Sequence, residues 1–248
     1  MTRIVLVTGG GRGIGAATAK LLARRGHDVA VNYQSNVAAA QKVVREIEAT
    51  GRKAIAVQGD ISKEADVERV FGAVDENLGP LSGLVNNAGI TGRIGRLDAA
   101  SAADIQSTMD INVVGALLCA RAAVKRMSTR HGGKGGVIVN VSSVAATMGS
   151  ANTYVWYAAS KAAVDAATLG LGLEVAAEGI RVVGVAAGLT DTDLHAAGGE
   201  PERAKKLAAA VPLGRIAQPA EIAEAIAWVM SDAAGYVTAT TLRVGGGR

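Results

Sequence analysis

Short apolar, β-rich runs alternate with longer helix-periodic segments from one end of this chain to the other, and that alternation constrains the fold more than any other feature. Runs at residues 4–8, 29–32, 54–58, 84–86, 136–142, 181–186 and 240–244 predict strands. Helices are predicted over residues 14–25, 38–50 and 64–78, in stretches within 102–130, and over 155–178 and 219–230. Repeated strand–helix–strand units build a parallel sheet covered by helices on both faces. The strands are near-continuous apolar runs, as burial on both faces requires. The predicted fold class is α/β, a doubly wound parallel sheet of about seven strands.

With 248 residues, 49% of them apolar, one domain with a large core is expected. No linker, low-complexity tract or shift in composition divides the chain, so residues 1–248 read as one unit. The net charge of +4 is scattered, with no basic run interleaved with aromatics, which gives nucleic-acid binding no support. Cys119 is the single cysteine, so an internal disulfide is impossible and a small buried hydrophobe is the plain reading. The first apolar run, Ile4-Val5-Leu6-Val7, is too short for a signal-peptide core, and no apolar run is expected to reach the length of a membrane span. A soluble cytoplasmic protein without a metal site is expected. Residues 189–211, interrupted by Gly198-Gly199 and Pro201, have no obvious regular element and are expected to form a substrate lid, with an ordinary helix-containing insertion as the alternative.

The first strand leads directly into Thr8-Gly9-Gly10-Gly11-Arg12-Gly13-Ile14-Gly15, and a helical pattern begins at once. Glycines in this place let the backbone approach a pyrophosphate, whose charge then sits at a helix N-terminus. Further along come Asp60-Ile61 after the third strand, Asn86-Asn87-Ala88-Gly89 after the fourth, Asn112 in a helix, Ser143 at a strand end, and Tyr157 with Lys161. In this order and over essentially the whole chain, the pattern resembles the short-chain dehydrogenase/reductase family. The resemblance implies a Rossmann fold and a dinucleotide held by Gly9, Gly11, Arg12, Gly13, Ile14 and Gly15. It also implies that Asp60 and Ile61 flank the adenine, that Asn87, Ala88 and Gly89 support the sheet beside the cofactor, that Gly188 is among the cofactor-binding residues, and that Thr192 contacts the nicotinamide carboxamide. The second strand ends in Asn32-Tyr33 with no carboxylate to repel a ribose 2′-phosphate, and Arg12 can supply a charged fork, so NADP(H) is expected over NAD(H). Ser35 and Asn36 either add hydrogen bonds to that phosphate or cap the second helix.

Tyr157 and Lys161 are four residues apart in a helical stretch and project from one face. A nearby ammonium favours the phenolate, so Tyr157 is expected to exchange a proton with an alkoxide while hydride moves between the nicotinamide and a carbonyl carbon. Ser143 is expected to stabilise the charge developing on the substrate oxygen. By resemblance, Lys161 also holds the nicotinamide ribose, and Asn112 holds a water that links Lys161 to solvent. Tyr154 has Ala at position 158 and lacks a lysine partner. The family's usual Asn-x-Val-x-Pro-Gly appears here as Val183-Gly184-Val185-Ala186-Ala187-Gly188, and its Val-Asp-Gly-Gly as Val244-Gly245-Gly246-Gly247. Loss of the Pro is expected to loosen the start of the lid.

The run Val144-Ala145-Ala146-Thr147-Met148-Gly149 is similar to that of 3-oxoacyl-thioester reductases in the family. The resemblance thus implies a carbonyl reductase or secondary-alcohol dehydrogenase, with a sugar dehydrogenase of the glucose type as the nearest alternative. A non-catalytic NADP-binding regulatory protein is the alternative from another class, and it has no need of Ser143 or Tyr157. The family further implies a homotetramer packed through the helices of residues 102–130 and 155–178.

Overall fold

The computed structural model describes residues 3–194, 198–200 and 202–248. Strands β1 (Ile4–Val7), β2 (Asp28–Tyr33), β3 (Ala54–Gln58), β4 (Gly83–Asn86), β5 (Gly136–Ser143), β6 (Ile180–Ala187) and β7 (Thr240–Val244) form one sheet in the order β3-β2-β1-β4-β5-β6-β7. Every pairing in it is parallel. The helices are α1 (Gly13–Arg24), α2 (Val37–Glu48), α3 (Glu64–Asn77), α4 (Ala102–Met109), α5 (Ala116–Met127), α6 (Ala145–Met148), α7 (Val155–Val175), α8 (Arg203–Lys206) and α9 (Pro219–Met230). Alternate strand residues serve opposite faces. Val5, Val7, Val29 and Val31 pack under α1, α2 and α9, whereas Leu6, Ala30, Leu84 and Ile138 pack under α3 and α5. Strand order reverses between β1 and β4, and the crevice beyond their carboxyl ends is where such sheets bind ligands.

The helix predicted within residues 102–130 is α4 and α5 joined without a break by a π-helical turn, Asp110–Gly115. Asn112 lies in that turn and is buried. The run Ala102–Met127 spans 26 residues and is long and apolar enough to cross a membrane, contrary to the expectation that no run would be. One face of it packs into the core, and the other carries exposed Val114 and Leu117. Cys119, Ala122, Ala123 and Met127 belong to the core, and Arg121 and Arg126 pair with Glu64 and Asp75 of α3.

Residues 189–211 are less irregular than their sequence suggests, since they contain α8 and a 3-10 turn, Ala208–Ala210. Pro201 and residues 195–197 lie outside the described residues. The segment does not begin loosely. Ala187 stays in the ladder opposite Val244, and Gly188 N–H donates to Val244 O at 2.9 Å. Ala217 N–H donates to Leu189 O at 2.8 Å and Asp191 N–H to Ala217 O at 2.9 Å, so these bonds pin the chain without the missing proline.

Candidate active site

A cavity of about 820 Å³ opens above the carboxyl ends of the central strands. Of the predicted cofactor residues, Gly9, Gly11, Arg12, Gly13, Ile14, Asn32, Tyr33, Asp60, Ile61, Asn87, Ala88, Gly89, Gly188 and Thr192 line it, as do Ser143, Tyr157 and Lys161. Gly15 and Asn112 do not; both act from behind the wall.

The glycine loop is held by hydrogen bonds that its own sequence does not supply. Gly9 has φ +60°, and a Cβ there would stand 3.0 Å from the α-carbon of Ala88. Asn87 Nδ2 donates to the carbonyls of Thr8 at 2.9 Å and Gly9 at 3.1 Å. Thr8 Oγ1 accepts from the N–H groups of Asn87 and Ala88 at 3.0 and 3.1 Å. Asn32 Oδ1 accepts from Gly9 N–H at 3.3 Å while its Nδ2 donates to Gly59 O at 3.0 Å. Asn32 is thus mainly a brace between the loop and the ends of β2 and β3. A Cβ on Gly15 would lie 2.5 Å from both Asn87 Nδ2 and Gly9 O, so this glycine is required for packing and does not touch the cavity.

Helix α1 begins with no side-chain cap and no acid in its first turn, leaving its positive end directed at the loop. Arg12 is exposed beside it, and among the described residues its guanidinium has no hydrogen bond or ion pair. Asn36 caps α2 by accepting from Ala39 N–H at 2.9 Å, as its capping alternative required, while Ser35 stays exposed on the cavity wall. Asp60 accepts from Ser62 Oγ at 2.7 Å and Gln34 Nε2 at 3.2 Å.

Tyr157 and Lys161 project from the same face of α7, with Lys161 Nζ 5.8 Å from the centre of the Tyr157 ring. Lys161 Nζ donates to Val141 O at 2.7 Å, which leaves two ammonium protons for other acceptors. Burial lowers its pKa to about 8, against a smaller opposing pull from Asp165. Tyr157 departs from the sequence expectation. Its burial raises the phenol pKa above the ordinary value, and only the hydrogen bond with Ser143 pulls the other way. Desolvation is the larger influence, so the phenol stays protonated at neutral pH, where the sequence led to the expectation of a phenolate favoured by Lys161. Ser143 Oγ also accepts from Ala145 N–H at 3.1 Å, a bond that fixes its rotamer and leaves its proton to donate. Ser142 is buried in the sheet, its hydroxyl 3.4 Å from Lys161 O.

Asn112 stitches the site together from below. Its Oδ1 accepts from Ile90 N–H, and its Nδ2 donates to Ile90 O at 2.8 Å and to Ser160 Oγ at 3.0 Å. Ser160 Oγ in turn donates to Tyr157 O at 2.7 Å. Thr8 and Ser160 were missed as site residues in the sequence, because single hydroxyls carry no pattern. Tyr154 and Arg203 also line the cavity; Arg203 comes from the segment expected to form the substrate lid, and neither was singled out as a site residue in the sequence. Cys119 plays no part: burial pushes its thiol up to about 12.

A family model described as enoyl-(acyl carrier protein) reductase matches residues 9–248. The Escherichia coli oxidoreductase YgfF, itself uncharacterised, is 51% identical over 245 residues, covering 99% of each chain. The chain belongs to the short-chain dehydrogenase/reductase family. Two solved structures bring nicotinamide cofactors into the comparison. A short-chain dehydrogenase from Burkholderia cenocepacia, crystallised with NADP, has TM-score 0.91 and 37% identity, with 99% of this chain and 97% of the other covered. The 3-ketoacyl-(acyl-carrier-protein) reductase of Brucella melitensis, complexed with NADH, has TM-score 0.90 and 32% identity over 99% and 98%. The fold is therefore the Rossmann fold of this oxidoreductase family, and the glycine loop, the uncapped α1 and the cavity fit a nicotinamide dinucleotide.

Proposed function

We propose that this short-chain dehydrogenase/reductase uses NADP(H) to interconvert a ketone and a secondary alcohol, with Tyr157 exchanging the proton. The observation that carries the reading is the convergence of Ser143, Tyr157 and Lys161 on a cavity whose other arm is the glycine loop. When bound, the dihydronicotinamide supplies a hydride to the carbonyl carbon, and the ketone, NADPH and a proton become the alcohol and NADP⁺. Ser143 donates its free proton to the carbonyl oxygen, stabilising the charge that develops there. Tyr157 delivers its proton to that oxygen, and burial keeps the phenol protonated for that role. Lys161, charged below about pH 8 and anchored on Val141 O, directs its remaining donors at the nicotinamide ribose and supplies positive charge as the proton leaves Tyr157. Asn112 and Ser160 keep the loop at Ile90 and the first turn of α7 in register. A purely regulatory NADP binder gives no reason for Ser143 and Tyr157 to share the cavity wall with Lys161. Ketones, 3-oxoacyl thioesters and sugars are the substrate classes to compare.

The same reading includes a homotetramer. Val114, Leu117, Leu169 and Leu173 are exposed large apolar side chains on α5, α7 and the turn before α5, the helices through which the family resemblance implies packing.

The cofactor preference rests on Arg12, Ser35 and the carboxylate-free end of β2, and differential thermal stabilisation tests it. NADP⁺ is expected to raise Tm more than NAD⁺ at equal concentration. Arg12→Ala removes a charge-assisted contact and is expected to cut NADP⁺ affinity about tenfold or more while hardly changing that for NAD⁺. Equal shifts in the wild type contradict the preference.

A further inference from the structure

Tyr154 separates Tyr157 from a cation inside the same cavity. The Arg203 guanidinium lies over the Tyr154 ring with its carbon 5.3 Å from the centroid, and that ring meets Tyr157 edge-on at 5.0 Å and 78°. These two distances, end to end, bound the separation of the guanidinium from the phenol ring. Arg203 is mostly withdrawn from solvent, its side chain 18% exposed. One fork nitrogen donates to Thr153 Oγ1 at 3.2 Å, and Nε is buried with no hydrogen-bond partner among the described residues. The other fork nitrogen donates to Glu200 Oε2 at 3.4 Å; that carboxylate is about half exposed, and such a pair contributes little in water. Among the charged groups lining the cavity, Arg12, Asp60 and Lys161 are on the glycine-loop and nicotinamide side, and Asp193 and Arg248 are of opposite sign to one another. Met148 and Leu207 are among the apolar residues of the cavity wall, Leu207 one turn beyond the arginine.

We propose that this arm of the cavity recognises a carboxylate, so that the substrate is a short oxo acid whose ketone lies at Tyr157 and whose anionic end lies at Arg203. The proposal deepens the function given above and rests on its assignment of Tyr157. A planar guanidinium already oriented by Tyr154 and Thr153 loses little freedom on accepting a carboxylate, and water is largely excluded from its surroundings. The short separation matters. A ketone and a carboxylate a few carbons apart span it, whereas the phosphates of an acyl thioester lie a whole pantetheine arm away from the reacting carbonyl.

Two measurements separate this site from the redox chemistry. Calorimetry on the NADP⁺-loaded protein compares hexanoate with hexan-1-ol, independently of turnover. Hexanoate is expected to bind at least about tenfold more tightly than the alcohol, and Arg203→Met is expected to remove that difference, with Arg203→Lys intermediate because it keeps charge without the fork. Equal binding of acid and alcohol, or a preference that survives in Arg203→Met, overturns the proposal. With NADPH, 4-oxopentanoate, 5-oxohexanoate and 6-oxoheptanoate are then compared with their methyl esters. The acid-to-ester ratio of kcat/KM is expected to be about ten to a hundred in the wild type, carried by KM, and to fall toward one in Arg203→Met. An arginine that only latched the segment over the cavity would lower both rates and leave the ratio unchanged, which also overturns the proposal. If hexanoate binding depends on Arg203 but no ketone oxidises NADPH, the anion site stands and the ketone-reducing reading fails.

Discussion

At the residue scale, burial decides the charge states that sequence spacing leaves open. Two side chains four apart on a helix are legible as neighbours, and Tyr157 and Lys161 share a face as expected. Their proton affinities were not legible, because desolvation depends on the sheet and loops that close over them. Burial raises the phenol and lowers the ammonium, so the pair at neutral pH is a neutral acid beside a cation that loses its proton near pH 8. This has a consequence for stability. Between about pH 8 and 10.5 the unfolded chain keeps a proton on Lys161 that the native state has released, so stability from this group rises with pH through that window. Below pH 8 the native lysine is charged and buried, and the desolvation penalty is present in full. Lys161→Met removes that dependence. The stability of the variant relative to wild type is expected to fall by on the order of 3 kcal/mol from pH 7.5 to 10.5, measured by urea unfolding at each pH. A difference that does not change with pH refutes the assignment of the lowered pKa to Lys161.

At the element scale, most helices and strands were readable because each has a strong apolar face and distinct ends. Helix α9, for example, starts at Pro219 with a capping box between Gln218 and Glu221. The π-helical turn at Asp110–Gly115 was not readable, since its cause is tertiary: Asn112 is drawn inward by Ile90 and Ser160, far away in sequence. Gly15 is the converse case. The sequence counted it with the phosphate-contacting glycines, yet it serves the approach of α1 to Asn87 and the loop carbonyls. Gly15→Ala is expected to cost about 2 kcal/mol or more, lowering Tm by roughly 4 °C or more, and to weaken NADP⁺ binding. Gly72→Ala in α3, where a Cβ meets nothing within 4 Å, is expected to be neutral or to stabilise by up to about 1 kcal/mol. Paired thermal melts of the two variants check this; equal effects contradict the packing role.

At the scale of the whole molecule, the parallel sheet followed from the alternation of elements, and the glycine loop marked where a dinucleotide would sit. Of the substrate half of the cavity, the sequence marked residues 189–211 as a lid, and Arg203 and Leu207 of that segment line the cavity, but how that half is put together did not follow. It is assembled from α7, the chain around Thr153 and the segment carrying α8, whose juxtaposition no local pattern encodes. Assembly belongs at this scale too. If copies pack through α5 and α7, charges at Leu117 and Leu173 are buried without partners, so Leu117→Glu with Leu173→Glu is expected to halve the mass seen by light scattering, at least, while far-UV circular dichroism stays unchanged. A mass unaffected by both charges contradicts an interface there.

Whether Tyr157 hands over a proton is decided most directly by comparing Tyr157→Phe with wild type on one ketone that the protein reduces, following NADPH absorbance and measuring NADP⁺ affinity in parallel. The account predicts unchanged cofactor affinity, within about twofold, and a loss of kcat of roughly 10²–10⁴-fold. A phenylalanine variant that binds NADP⁺ and reduces the ketone at the wild-type rate contradicts it.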